Sequence, residues 1–154
     1  MDIEDVTIWS IVSIPYMVGD EKEYRDAIVH AINLRSIKCR VIRGDQSKLY
    51  KVNIDDVRGS LVENHLSQIG FKSFFKGEGV EVFTLEVPET NEHIKFHLSS
   101  KPNKFTGIEL GFYNNNIHNI KYMHDFQRYF RLVYNRNLPF NPFKQMHDAS
   151  NKLS

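Results

Sequence analysis

Apolar residues alternate with polar ones along much of this chain, which is the pattern of β-strands. The segment 6–16 reads VTIWSIVSIPY and is apolar on both alternating faces, with one face carrying Val6, Ile8, Val12 and Ile14 and the other Trp9 and Ile11. A strand that is apolar on both faces is typical of the centre of a sheet that is covered on both sides. We therefore predict a central strand here, with Trp9 buried.

Two segments of the first half have apolar residues three and four positions apart, as one face of a helix requires. The first follows Asp20, and Glu23 three residues later resembles a capping box, so the pattern predicts a helix over about residues 21–35. The second predicts a helix over about residues 56–69, with Gly70 as its C-terminal stop.

The remaining pattern predicts further strands and one more helix. The strands cover about residues 37–43, 49–54, 72–76, 80–87, 94–98 and 105–113, and the glycines of Gly77–Gly79 indicate a hairpin loop. The fold class is then α+β, with a mostly antiparallel sheet and three helices, the last one long and C-terminal. A mixed sheet is the alternative, because the early strand–helix–strand order allows one parallel pair.

Length and composition bound the kind of protein. The 154 residues suggest a single α+β domain over 1–143, with a flexible C-terminal tail over 144–154. The single cysteine, Cys39, excludes an intramolecular disulfide, which fits a reducing compartment. An acidic N-terminus and the lack of an apolar run of about 18 residues lead us to expect no membrane association and a cytoplasmic location. Abundant Asn, Ile and Lys suggest an AT-rich genome, such as that of a bacteriophage, and then the host cytoplasm.

The segment His118–Arg136, HNIKYMHDFQRYFRLVYNR, is predicted to be an amphipathic helix. Its apolar stripe contains Met123, Phe126, Phe130 and Val133. Residues 117–154 contain six Lys and Arg against two Asp, so this end is basic although the whole chain is only +1. Phosphate binding needs several cations along one face with few acids nearby. The predicted binding residues are Lys121, His124, Arg128, Arg131, Asn135 and Arg136.

This pattern favours a small regulatory or binding protein that is not an enzyme. The expected partner is nucleic acid or a host protein that handles nucleic acid, and no catalytic residue, metal ligand or cofactor is predicted. Two alternatives stay open. One is a phosphodiesterase or nuclease that uses His97, and the other is an inhibitor or immunity protein that binds a protein partner.

The histidines give the enzyme alternative limited support. The tripeptide His-Leu-Ser occurs at 65–67 and 97–99, and two such motifs on paired strands are typical of two-histidine phosphoesterases. Here the first motif falls in a predicted helix, and the two are only 32 residues apart, so we do not assign the chain to that family. His93 and His97 on one extended strand would lie about 13 Å apart, too far to share one metal ion.

Overall fold

The computed structural model describes residues 6–99, 109–112 and 115–142. These parts contain ten strands and two α-helices, which confirms the α+β class. The strands are β1 (Ile11–Val18), β2 (Glu21–Ile32), β3 (Ser36–Val41), β4 (Tyr50–Asn53), β5 (Arg58–Gly59), β6 (Lys72–Gly77), β7 (Val80–Glu86), β8 (His93–Ser99), β9 (Glu109–Phe112) and β10 (Asn115–Asn119). The helices are α1 (Leu66–Ile69) and α2 (Met123–Tyr134).

The chain divides into two compact units, each built around a five-stranded antiparallel sheet. The first unit takes the chain up to Ser60 together with Tyr122–Arg136, and the second takes Leu61–Lys121 and the residues from Asn137 onward. The single domain over 1–143 stays a prediction, and the tail predicted for 144–154 lies outside the described residues.

The first sheet has the strand order β4-β3-β2-β1-β5. β1 and β2 form a hairpin along the whole length of β1, closed by Gly19 and Asp20 between Val18 and Glu21. Gly19 has a φ of 63°, a value that glycine adopts without steric cost. The inner face of this sheet carries a mainly aliphatic core: Val12, Ile14, Ala27, Val29, Ile37, Cys39, Val41 and Val52.

The helix predicted over 21–35 is wrong, because this segment forms strand β2. Pairing with β1 on one side and β3 on the other gives its backbone groups hydrogen-bond partners, and Ala27 and Val29 alternate into the core. The segment has apolar residues at helical spacing and also at spacing two, so the neighbouring strands decided between the two states.

The central strand predicted over 6–16 is correct only from Ile11 onward. Val12 and Ile14 are fully buried, but β1 begins at Ile11, and the residues before it form a turn. Trp9 has a φ of 75° and is 61% exposed, so its predicted burial is wrong. Left-handed backbone at Trp9 interrupts the alternation that would have turned its side chain into a covered face.

The helix predicted over 56–69 is also largely wrong. The chain instead passes through a 3₁₀ turn, strand β5, a second 3₁₀ turn at Val62–His65 and the single-turn helix α1. At Gly59 a Cβ would overlap the ring of Tyr122, so this position needs glycine for close packing. The predicted stop at Gly70 is confirmed, since this residue caps α1 with a φ of 112°. The described residues therefore contain two helices where three were predicted.

The second sheet has the order β10-β9-β8-β7-β6. β6, β7 and β8 match the predicted strands closely and β9 lies within the strand predicted over 105–113, whereas β10 was not predicted. β6 and β7 form the predicted hairpin, with Glu78 and Gly79 at positive φ in the turn. Its buried face is rich in rings and leucines: Phe71, Phe83, Leu85, Ile94, Phe96 and Leu98. Both sheets are antiparallel throughout the described strands, so the mixed-sheet alternative is not supported.

Helix α2 is shorter than the predicted helix over 118–136, because the Asn-rich segment before it forms β10. Its twelve residues span about 18 Å at 1.5 Å per residue. Met123, Phe126 and Phe130 are fully buried as predicted, but Val133 is 49% exposed. Among the described residues, no helix combines the length and the apolar character that a bilayer crossing demands.

Candidate functional site

Two of the six predicted binding residues, Arg128 and Arg131, project from α2 into solvent. Arg128 Nη2 donates a hydrogen bond of 3.0 Å to Asp125 Oδ1, which is an exposed pair three residues apart on the helix. Such pairs are worth less than about 1 kcal/mol, so this ion pair by itself contributes little to stability.

His124 does not lie on the exposed side of α2, which corrects its assignment to the basic stripe. It is 7% exposed, and its ring stacks on Tyr122 with the centroids 5.9 Å apart. Its Nε2 lies 3.5 Å from Asp125 Oδ1. The stripe was derived from spacing alone, and spacing does not show which side of a helix is covered by neighbouring chain.

The other three predicted residues take different positions. Lys121 belongs to the second unit, where its carbonyl accepts a hydrogen bond of 3.0 Å from the Val62 N–H. Asn135 ends α2 in left-handed conformation, and its N–H donates to the Arg131 carbonyl, which is the role of a helix cap. Arg136 is half-buried. The six residues therefore do not form one continuous stripe.

A larger basic surface lies on the outer face of the first sheet, on the side opposite its core. We call it the cationic face, and it is defined by Lys22, Lys38, Arg40, Lys51 and Arg58. Lys38 and Lys51 are directly opposite each other on β3 and β4. Within the described parts of the chain, none of the five cations forms an ion pair.

The alternation of β-strands produces this face. In β3, Ile37, Cys39 and Val41 point into the core, so Lys38 and Arg40 point outward. Five strands about 4.8 Å apart make the sheet about 19 Å wide.

One acid, Asp26, shares this side of the strands with the five cations. Its Oδ1 accepts a hydrogen bond of 2.6 Å from Ser60 Oγ. Glu21 and Glu23 alternate to the opposite side of β2, where Glu23 pairs with Arg25. Glu21 and Glu23 therefore do not share the side of the cationic face, and Asp26 is the acid of β2 that does.

Both arginines of the cationic face are held in place by neighbouring groups. The Arg58 guanidinium lies over the Tyr24 ring, with Cζ 3.8 Å from the centroid. Arg40 Nη1 donates a hydrogen bond of 2.9 Å to the Gln46 carbonyl. A guanidinium that is already positioned loses less conformational entropy when it binds an anion.

Backbone and side-chain hydrogen bonds hold Trp9 in place just before the first residue of β1. Its N–H donates to the Val29 carbonyl at 2.8 Å, and its carbonyl accepts from Gln127 Nε2 at 2.9 Å. Gln127 Oε1 also accepts from the Ile11 N–H at 2.8 Å, so one amide of α2 holds both sides of the turn. These bonds maintain the positive φ of Trp9, a conformation that is costly for a residue with a side chain.

The indole of Trp9 packs edge-on against His30, with the ring centroids 5.2 Å apart. His30 is the additional residue of a bulge in β2, where the register with β3 shifts between Val29 and Ala31. The result is a large exposed aromatic ring on a fixed backbone, beside the end of the sheet that carries Lys38 and Lys51.

The histidines of the enzyme alternative are arranged as the strand pattern predicts. His93 is exposed and His97 half-buried on the outer side of β8, while Ile94, Phe96 and Leu98 are buried. His65 is buried at the start of α1, where Nδ1 hydrogen-bonds Gln68 Oε1, so the two His-Leu-Ser motifs do not lie on paired strands. The described residues hold no group of three or more His, Cys, Asp and Glu side chains that could bind a metal ion.

Strand β6 forms one edge of the second sheet and presents two exposed rings. Phe74 is 71% exposed and Phe75 56%, between Lys72 and Lys76, which are also exposed. The register shift between Ser73 and Phe75 produces this pair of adjacent exposed rings. Exposed apolar side chains at a sheet edge are a feature of protein-binding surfaces.

In the described part of the first unit, the pKa values of Cys39, Tyr50 and Asp45 are shifted. Burial raises the pKa of the Cys39 thiol to about 11. Burial, and then a hydrogen bond with Tyr16, raise the pKa of Tyr50. Hydrogen bonds from the Ser47 side chain and backbone lower the pKa of Asp45 in the turn between β3 and β4. Cys39 and Tyr50 lie on the inner face, so these shifts reflect packing on the side away from the cationic face.

Sequence reasoning missed both the cationic face and the exposure of Trp9. The alternation of Lys38 and Arg40 with apolar residues was visible, but the relative position of cations on different strands depends on sheet order. Comparison of the chain with protein-family models, with curated proteins and with solved structures finds no match.

Proposed function

We propose that this protein binds nucleic acid, without catalysing a reaction, through the cationic face of its first unit. The observation that carries the proposal is that Lys22, Lys38, Arg40, Lys51 and Arg58 share one side of a sheet and form no ion pair within the described residues. A set of cations that form no ion pair within the described residues is available to phosphates.

The charge distribution supports binding by a localised surface. The net charge of the whole chain is +1, so attraction of a polyanion depends on segregated charge. When lysines and arginines neutralise phosphates, condensed counterions are released, and this release supplies most of the sequence-independent affinity.

Arg128 and Arg131 of α2 are proposed as additional contacts, in keeping with the basic helix seen in the sequence. They belong to the same unit as the cationic face and are exposed. Their contribution should be smaller, because Arg128 already pairs with Asp125.

The test is a salt titration of binding to labelled oligonucleotides of random sequence, measured by fluorescence anisotropy. The variant Lys38→Gln with Lys51→Gln removes two neighbouring cations from exposed strand positions. If both contact phosphates, the slope of log K against log salt should fall in magnitude by about 1.4 on a single strand. The variant Arg128→Gln with Arg131→Gln measures the contribution of the helix separately.

The matched control is Lys72→Gln with Lys76→Gln, which removes the same charge from exposed positions in the second unit. We expect the control to keep the slope of the unmodified protein. Absence of binding by the unmodified protein at low salt contradicts the proposal. So does an equal loss in both double variants, since it would indicate a general charge effect.

A further inference from the structure

We infer that Trp9 is a stacking platform for an unpaired base, which makes the ligand of the cationic face a single-stranded nucleic acid. This inference rests on the proposed function, because it names the class of nucleic acid that the surface takes. It adds a second kind of observation, the geometry of one aromatic residue, to the charge of the cationic face.

The exposure of Trp9 is the first part of the argument. Its side chain is 61% exposed, although indole is among the largest apolar surfaces that a residue can bury. Among the aromatic rings of the described residues, His30 is the one that contacts the indole, and the interplanar angle of 66° leaves the two rings far from parallel. Such a ring can accept a planar base on an open face.

The second part of the argument is the rigid backbone that holds Trp9. Hydrogen bonds to Val29 and from Gln127 hold the backbone of Trp9 at a φ of 75°. A residue held in a costly backbone conformation is a recurrent sign of a binding or catalytic position. Pre-organisation also lowers the entropy lost when a ligand is bound.

The location of Trp9 is the third part. It is held beside Val29 of β2, which pairs with Cys39 between Lys38 and Arg40 on β3. Two strand spacings therefore separate the backbone of Trp9 from the backbone of Lys38 and Arg40, about 10 Å across the sheet. In this proposal, a strand whose base stacks on Trp9 continues from there towards the cations of β3.

The requirement for a single strand follows from the chemistry of stacking. In a duplex both faces of each internal base are covered by its neighbours, so a ring outside the helix finds no free face. Single-stranded nucleic acid offers such faces, and aromatic platforms beside basic grooves bind it with little sequence preference.

The experiment uses the intrinsic fluorescence of Trp9, which is the only tryptophan in the chain. The protein is titrated with a 20-nucleotide oligo-dT, a 20-nucleotide oligo-rU and a 20-base-pair duplex of random sequence. We expect saturable quenching by a single strand and little quenching by the duplex. In anisotropy with labelled oligonucleotides, Trp9→Ala should bind the single strand about tenfold more weakly, while Trp9→Phe should retain most of the affinity.

The outcomes separate this inference from the proposed function. Salt-dependent binding without quenching, and with Trp9→Ala unchanged, would overturn the stacking role and leave nucleic-acid binding standing. Equal quenching and equal affinity for the duplex would overturn the single-strand assignment. Absence of binding to any of the three probes would overturn both. Circular dichroism and denaturation of Trp9→Ala show whether a loss of affinity comes from unfolding, and Trp9→Phe provides a second variant if it does.

Discussion

The two sheets share an architecture and differ in the chemistry of both faces. Each has five antiparallel strands, and most neighbouring strands are consecutive in the chain. The first packs small and aliphatic residues such as Val29 and Cys39, and the cations on its outer face form no ion pair within the described residues. The second packs larger groups such as Phe83 and Phe96 and presents exposed Phe74 beside Lys95.

This difference shows that backbone topology does not determine which partner a sheet suits. Antiparallel pairing sets which residues share a face, but the residues themselves determine whether that face attracts phosphates or apolar groups. The cations of the first sheet are the basis of the proposed nucleic-acid binding. The exposed rings at the edge of the second sheet are the feature that would suit the alternative, a protein partner.

The largest effect on stability is expected from substitutions in the cores of the two sheets. Phe96→Ala should lower the free energy of unfolding by about 3–5 kcal/mol, because it removes a fully buried ring that packs with Phe71. Ile14→Ala, in the aliphatic core, should cost about 2–5 kcal/mol. Urea denaturation measures both. Lys95→Ala, which neighbours Phe96 on the exposed side of β8, is the control and should change the value by less than about 0.5 kcal/mol. A loss below about 1 kcal/mol for Phe96→Ala would contradict its place in the core.

A smaller effect concerns the core of the first sheet, whose contribution to the free energy of unfolding should depend on pH. Burial raises the pKa of Cys39 from 9.0 to about 11, so the folded state holds this proton more tightly than the unfolded state. The stabilisation is fully present below pH 9 and should be lost as pH rises towards 11, at up to about 1.4 kcal/mol per pH unit.

The matched control for this pH effect is Cys39→Ala, which lacks the titrating thiol. Denaturation at pH 8 and pH 10.5 should show a steeper loss for the unmodified protein than for the variant. Parallel losses in the two proteins would show that the thiol is not protected from solvent. The same burial predicts slow reaction of Cys39 with thiol reagents until the protein unfolds.

The smallest effect concerns the exposed rings of the two sheets. Trp9→Ala and Phe74→Ala should each change the free energy of unfolding by less than about 1 kcal/mol, since neither ring is in a core. Urea denaturation of these two variants and of Phe96→Ala compares the loss of unfolding free energy for exposed and buried rings in the same protein. A loss of 3 kcal/mol or more for Trp9→Ala would restore the buried position that the sequence pattern predicts.

Much of the fold could be predicted from short-range pattern. Strict alternation identified β3, β4, β7 and β8, because one face of each is buried and the other is not. Glycine located the β6–β7 hairpin and the end of α1, because both positions require positive φ. The first hairpin was missed, although Gly19-Asp20 between two apolar runs is a known hairpin signal.

The buried side of α2 was also visible in the sequence, but the candidate site was not. Spacing placed Phe126 and Phe130 inside correctly, and it placed Arg128 and Arg131 outside. It did not show that His124 is buried, with its ring stacked on Tyr122. Of the six predicted residues, Arg128 and Arg131 are the two that lie within α2 and are exposed.

Tertiary structure alone decided the identity of β2, the exposure of Trp9 and the cationic face. β2 carries both helical and alternating apolar spacing, and pairing with two neighbours selected the strand. Trp9 does not continue the strand, because hydrogen bonds with Val29 and Gln127, which are distant in the sequence, hold it in a left-handed turn. The five cations are far apart in sequence and become one surface only through the strand order β4-β3-β2-β1-β5. Local sequence determines which way each side chain points along its own strand, whereas non-local pairing determines which side chains become neighbours.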